Sequence, residues 1–356
     1  MNEAEVLENI NNRIQAYINK SNAFNSRKTI IICDGHEVEE TIEFFSDNQL
    51  RIDILDIYID DNSVMHQLTQ HGNNANCFIS KKIITDGLYD EIKKNNTDFQ
   101  NIYVGPTSKG YFDLYEKRNN IIRNIHQITT VINMLDDEKS KNVFLNILTR
   151  LSVPYQFHFY YETEDFPQYF CNEFRYSKTE CFLDAGVCNG INIFEFVNKV
   201  NWKYNKIIGL EGDSNNYNIA KRNLFNIDNT LLLPKVLYDY DGSIRFLSTQ
   251  KSTKKSNSRV GEDGDVEVAC IAGDSLKEPF TFIKMDIEGS EKNALDGLRE
   301  TIKKYHPKLA ICIYHFQADF WEVPLKIHEI DSTYKFKIRN HKKLDNLTET
   351  VVYAWN

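Results

Sequence analysis

FIKMDIEGSEKNALDGL, residues 282–298, reads as a buried strand, a sharp acidic turn and a helix. The strand runs from Phe282 to Ile287. The turn carries Asp286, Glu288, Gly289 and Glu291. Ala294, Leu295, Leu298 and Ile302 then repeat at helical spacing. Carboxylates just past the end of a parallel strand stand where open α/β sheets place their ligands.

Outward from this stretch, short apolar segments recur in strand lengths: Cys181–Leu183, Ile207–Leu210, Leu231–Leu233 and Leu309–Tyr314, with helical patterns between most of them. Lys335–Arg339 and Thr350–Ala354 are separated by little more than HKKLDNLTE, which predicts an antiparallel hairpin. Upstream, Thr29–Cys33, Ile54–Ile59 and Ile102–Val104 read as strands alternating with helices over Glu37–Phe45 and Leu88–Lys94, and residues 3–20 and 111–150 read as helical. Strand–helix alternation predicts two α/β units. The first, residues 1–126, is expected to be a small domain with a role in substrate binding or homo-oligomer formation. The second is residues 127–356.

The chain has 356 residues and a formal net charge of −9, so nucleic acid is not expected as a partner. No apolar run reaches the roughly 18 residues of a membrane span, and the acidic amphipathic start MNEAEVLENINNR reads as neither signal peptide nor anchor. The seven cysteines are scattered without a CxxC pair, which fits core thiols in the cytoplasm better than disulfides or zinc ligands.

FLDAGVCNGINIFEF, residues 182–196, is a strand, a two-glycine loop and a helix start. Gly186 and Gly190 permit backbone conformations and approaches that a Cβ obstructs, and the helix N-terminus offers N–H groups to an anion. A third glycine of the GxGxxG fingerprint is missing, which weakens a dinucleotide reading. KIIGLEGD, residues 206–213, ends the next strand with Glu211, at the separation that suits hydrogen bonds to ribose hydroxyls; the plainer reading is a solvated loop acid. Asp239, near the expected end of strand three, and Asp274 in AGDSL are further polar candidates beside the cofactor. Lys251, Lys254, Lys255 and Arg259, in the polar stretch 248–265, could contact a phosphorylated or nucleotide-linked substrate, although a solvated loop is the commoner reading.

On the chemical side, Lys284 and Asp286 share a strand face. His315 closes the strand KLAICIYH at the same edge if the sheet is parallel, which makes it a candidate general base with Asp286 orienting base or acceptor. The plainer readings are a Lys284–Asp286 pair, acids that favour a helix N-terminus, and a satisfied polar histidine. Paired acids can also hold a divalent metal, but Asp286 and Glu288 lack a clear third oxygen ligand in sequence, so no metal is assigned.

LDDEKSKNVF, QYF, FLDAGVCNG, IIGLEGD, FIKMDIEGSEKNAL and HPKLAICIYH followed by WEVP together resemble the signature of FkbM-type methyltransferases, from about Leu135 onward. The resemblance implies a class I methyltransferase-like, Rossmann-like sheet and S-adenosyl-L-methionine as cofactor. Asp184, Gly186, Gly190 and Glu211 match the family's cofactor residues. Family members methylate hydroxyls of glycans, glycolipids or secondary metabolites. A cytoplasmic O-methyltransferase acting on a carbohydrate or nucleotide-linked sugar is therefore expected, with roles such as capsular polysaccharide biosynthesis. Two other readings stay open: a nucleotide-sugar oxidoreductase or epimerase with a dinucleotide cofactor, and a non-catalytic binding module.

Overall fold

The computed structural model describes residues 1–24, 29–32, 54–58, 76–80, 102–105, 114–152, 166–248, 258–341 and 347–356. Its chain divides into two compact units: Met1–Thr129 with Asn142–Glu162 and Lys342–Asn346, and Thr130–Lys141 with Thr163–His341 and Leu347–Asn356.

The first unit holds helix α1 (Glu3–Phe24) and a parallel sheet of β1 (Thr29–Ile32), β2 (Ile54–Tyr58), β3 (Asn76–Ser80) and β4 (Ile102–Gly105), in the order β2-β1-β3-β4. Strand β3 is absent from the sequence reading; NCFIS is short and carries little alternation to mark it. The helices read at Glu37–Phe45 and Leu88–Lys94 lie outside the described residues. The helical stretch read over 111–150 is three helices, α2 (Leu114–Arg123), α3 (Ile125–Met134) and α4 (Glu138–Leu151).

The second unit is built on seven strands. β5 (Cys181–Ala185) leads through α5 (Ile191–Lys199) to β6 (Lys206–Leu210), and α6 (Ser214–Asn223) leads to β7 (Thr230–Leu233). Next comes a separate small sheet of β8 (Val236–Tyr238), β9 (Gly242–Leu247), β10 (Arg259–Val260) and β11 (Val266–Ala272). The chain then re-enters the large sheet as β12 (Phe282–Met285), α7 (Glu291–Asp296), α8 (Arg299–Tyr305), β13 (Lys308–Cys312), α9 (Asp319–Ile330), β14 (Lys335–Asn340) and β15 (Thr350–Trp355). The order is β14-β15-β13-β12-β5-β6-β7, parallel except for β15, which runs antiparallel between β13 and β14. The predicted hairpin is therefore present.

β5 and β12 lie mid-sheet and are buried along their whole length, because parallel strands covered on both faces read as continuous apolar runs. Their register pairs Phe182 with Phe282 and Asp184 with Lys284 on one face. The first rung is a stacked aromatic pair with ring centroids 4.7 Å apart, extended edgewise by Phe174. At α4, Asp137 caps the first turn by accepting from the Ser140 N–H and also takes Arg339 Nη2 at 2.8 Å and Lys337 Nζ at 3.2 Å, tying that helix start to β14. Burial opposes its charge, yet Arg339 and the Ser140 N–H hold its carboxyl well below the usual carboxylate range. No helix among the described residues is long and apolar enough to cross a membrane. Cys171, Cys181, Cys270 and Cys312 are buried free thiols, and Cys188 is an exposed one.

Candidate active site

Three rungs climb from the core to the carboxyl ends of β5 and β12. Above the Phe182–Phe282 stack, Lys284 Nζ lies 3.0 Å from Asp184 Oδ1, with both side chains out of solvent. The same ammonium donates to the carbonyls of Gly186 at 2.7 Å and Ala185 at 3.3 Å, so it anchors the loop that follows β5. The top rung is Gly186 against the backbone of Asp286. Gly186 has φ +80°, and a Cβ there would lie 1.9 Å from the Asp286 carbonyl oxygen. Only glycine satisfies both the left-handed conformation and that approach.

The loop 186–190 is held from the other side by Glu211, at the end of β6. One carboxylate oxygen accepts from the Cys188 N–H at 2.8 Å and the other from the Asp213 N–H at 2.8 Å. Burial pushes the Glu211 carboxyl up, against those two bonds. Each oxygen keeps a second acceptor site. Gly190, at φ +90°, starts α5, where the Asn189 side chain accepts from the Ile191 N–H at 3.1 Å. A glycine cradle, a helix start and a carboxylate across the loop fit a ligand with one anionic group and two neighbouring hydroxyls, as in S-adenosylmethionine.

Two candidates fall elsewhere. Strand three of the large sheet ends at Leu233, so Asp239 follows β8 of the small sheet, where its carboxylate accepts from the Asn293 side chain at 2.9 Å. Asp274 accepts from the N–H groups of Thr301 (2.8 Å) and Glu300 (3.1 Å), which makes it the cap of α8. Asp184 and Lys284 are likewise consumed by each other and by loop carbonyls, so Lys284, a candidate on the chemical side, is buried beneath the loop and pairs with Asp184. Residues 249–257, with Lys251, Lys254 and Lys255, lie outside the described residues, and Arg259 is paired with Asp263.

The acidic turn and His315 do converge. β12 ends at Met285 and β13 at Cys312, so Asp286 and His315 stand on the loops beyond the strands. His315 Nε2 is 3.3 Å from Asp286 Oδ1 and 3.6 Å from Glu288 Oε2, and Nδ1 is 3.0 Å from Glu291 Oε1. Burial favours the neutral ring, but the carboxylates of Asp286 and Glu291 outweigh it and push His315 up to about 11. Asp286 is driven the other way: burial opposes its charge, and His315, Lys284 and Tyr169 hold it below the usual carboxylate range. Glu288 is pushed up to about 7 by burial and by its acidic neighbours, against the pull of His315. Both His315 nitrogens face carboxylates and its side chain is only 6% exposed, so no nitrogen is open to a substrate hydroxyl as the notion of a histidine base requires.

Sequence reasoning assigned no role to two tyrosines here. Tyr169 donates to Asp286 Oδ2 at 2.9 Å, accepts from the Gln168 amide at 3.0 Å, and lays its ring 5.2 Å from Lys284 Nζ. Tyr314 donates to Asp286 Oδ1 at 3.3 Å. Tyr169 has φ +74°, a strained conformation for a tyrosine, of the kind that clusters at functional sites. Its signal was present in the QYF piece, but a distant tyrosine has no spacing rule that links it to Asp286.

The strand order, the antiparallel penultimate strand and the glycine loop at the carboxyl edge define a class I methyltransferase fold, the fold of S-adenosylmethionine-dependent enzymes. Residues 184–343 match the family model Methyltransferase FkbM domain. Among solved structures, the chain is similar to the crystal structure of Methyltransferase FkbM from Methylobacillus flagellatus KT, with a TM-score of 0.65 at 19% identity over 99% of this chain and 100% of that one. An rRNA methylase from Streptococcus thermophilus matches with a TM-score of 0.34 at 15% identity, over 50% of this chain and 87% of that one. A SAM-dependent methyltransferase from Aquifex aeolicus matches with a TM-score of 0.28 at 15% identity, over 50% and 84%. No curated protein matches the chain in sequence.

Proposed function

We propose that this chain is a cytoplasmic S-adenosylmethionine-dependent O-methyltransferase that methylates a sugar hydroxyl in polysaccharide, glycolipid or glycoside biosynthesis. The observation that carries the reading is the meeting of Asp286, Glu288, Glu291 and His315 at the strand ends, with the Asp286 backbone against Gly186 of the glycine loop. A hydroxyl acceptor needs a proton acceptor and polar groups that orient it, and this cluster supplies both next to the cofactor loop.

Gly186, Gly190 and Glu211 hold the cofactor, with Asp184 and Lys284 acting one layer below by fixing the loop carbonyls. The cofactor supplies an electrophilic methyl group on a sulfonium. Glu288 takes the hydroxyl proton as the acceptor oxygen forms its bond to that methyl carbon. Its side chain is 26% exposed, whereas that of Glu291 is 1% exposed, and Asp286 already accepts from two tyrosines. Asp286 and His315 orient the acceptor. The unit that carries β1–β4 contributes none of these residues; its proposed role is acceptor binding or self-association.

The test is methyl transfer from labelled S-adenosylmethionine to a panel of glycosides and nucleotide sugars, read by mass spectrometry, alongside calorimetry with S-adenosylhomocysteine. Binding of the homocysteine product together with an added methyl on a sugar oxygen supports the reading. Binding of a nicotinamide dinucleotide in its place overturns it.

A further inference from the structure

His315 lies closer to two carboxylates than ordinary packing explains, and yet it does not hydrogen-bond to them. Nδ1 is 3.0 Å from Glu291 Oε1 and Nε2 is 3.3 Å from Asp286 Oδ1, while neither ring nitrogen has a hydrogen-bond partner. Short distances without aligned N–H groups are what neighbouring ligands of one ion look like. Two ligand atoms each about 2.1 Å from an ion and about 90° apart lie about 3.0 Å from one another. Each then sits about 45° off the other's lone-pair direction, too oblique for an N–H···O bond. Ligand atoms of Asp286, Glu291 and His315 all lie within 4.8 Å of one another.

A second observation concerns Glu291 alone. Its side chain is 1% exposed, Oε1 accepts from the Ile287 N–H at 3.0 Å, and Oε2 has no partner. A buried carboxylate oxygen without a donor is costly unless a cation meets it. Lys284 is committed to Asp184 and the loop carbonyls, and His315 approaches Oε1, not Oε2, so neither serves. The turn thus gathers the carboxylates of Asp286, Glu288 and Glu291 around a single imidazole and leaves the cluster anionic.

We propose that Asp286, Glu291 and His315 form a binding site for one divalent transition-metal ion, with Glu288 beside it and free of the ion. An imidazole among carboxylates favours Mn²⁺, Fe²⁺ or Zn²⁺ over Mg²⁺ or Ca²⁺, whose preferred ligands are all oxygen. Sequence spacing missed the site because two of its ligands, Glu291 on a helix start and His315 beyond β13, meet Asp286 only through the fold. Bound there, the ion polarises the acceptor oxygen. That role rests on the proposed methyl transfer, but the existence of the site does not.

The experiment is titration of the full chain, dialysed against EDTA, with MnCl₂ and separately with ZnCl₂, followed by calorimetry and by Mn²⁺ broadening of the histidine ring resonances. The expected result is saturation at one ion per chain, broadening of His315 before the other histidines, and affinity weakened at least about tenfold in Glu291→Gln and in His315→Ala. No saturable uptake by the folded wild type, broadening that spares His315, or equal affinity in folded variants each overturns the proposal. If a variant fails to fold, the wild-type broadening pattern alone decides. Methyl transfer by a metal-free chain overturns the ion's role at the acceptor oxygen and leaves the proposed function standing. One bound ion in a chain that methylates no sugar does the reverse.

Discussion

Replacing Lys284 by methionine isolates the middle rung of the β5–β12 ladder. The substitution keeps the volume and removes the cation 3.0 Å from Asp184 Oδ1, at a position where both side chains are excluded from water. Breaking a buried ion pair by removing one partner costs about 3–5 kcal/mol, because the remaining charge is stranded. At about 2–4 °C per kcal/mol for a unit of this size, the melting temperature should fall by roughly 6–20 °C. Circular dichroism melts at pH 7 measure it. Adding Asp184→Asn neutralises the stranded group, so the double variant should melt above Lys284→Met, with a coupling of about 1–3 kcal/mol. A single variant within about 2 °C of wild type, or a double variant no more stable than the single, refutes a structural role for Lys284. A purely catalytic lysine predicts that outcome, with stability kept and turnover lost.

Glu211→Ala removes the acceptor of two backbone N–H groups and, in the proposed function, of the ribose hydroxyls; S-adenosylhomocysteine binding should weaken by about 1.5–3 kcal/mol in calorimetry, and unchanged affinity in a folded variant excludes the ribose role. Glu288→Gln should lower single-turnover methyl transfer about 10²–10⁴-fold at saturating cofactor while cofactor affinity holds, whereas a wild-type rate moves the proton acceptor elsewhere. Asp137 is depressed in the folded state by Arg339 and the Ser140 N–H, so its contribution to stability is complete above the unfolded carboxylate range and drains as pH falls through it toward the folded value. The stability gap between wild type and Asp137→Asn should therefore hold above about pH 5 and narrow from there down to about pH 2 in urea melts; a gap independent of pH contradicts the pairing.

The large sheet was legible because its strands are short apolar runs bounded by turns, and Phe282 to Asp286 carried both the strand and its functional edge. The four-stranded insert was not resolved as a sheet: β10 is a two-residue strand and β9 and β11 are half-exposed, with little apolar pattern. Its presence moved Asp239 away from the large sheet. On the candidate site, spacing placed Glu211 and Gly186 at strand ends and Asp286 beside His315, since all stand on one edge of the sheet. It could not separate groups that face a ligand from groups that face the protein. Asp274 reads like a site acid, but the start of α8 claims both its oxygens. The environment of His315 was also out of reach, because the three carboxylates around it are drawn in by tertiary structure.

The absence of a methyl group's worth of space between Gly186 and the Asp286 carbonyl has a thermodynamic corollary. The two loops are in hard contact, so a displacement of one that is resisted by close packing must be shared by the other. Occupancy of either loop then alters the energy of the other, and linkage requires the effect to be reciprocal: whatever factor the first ligand contributes to the affinity for the second, the second returns to the first. Order of addition, product inhibition patterns and the residence time of the spent donor become readouts of a single backbone contact.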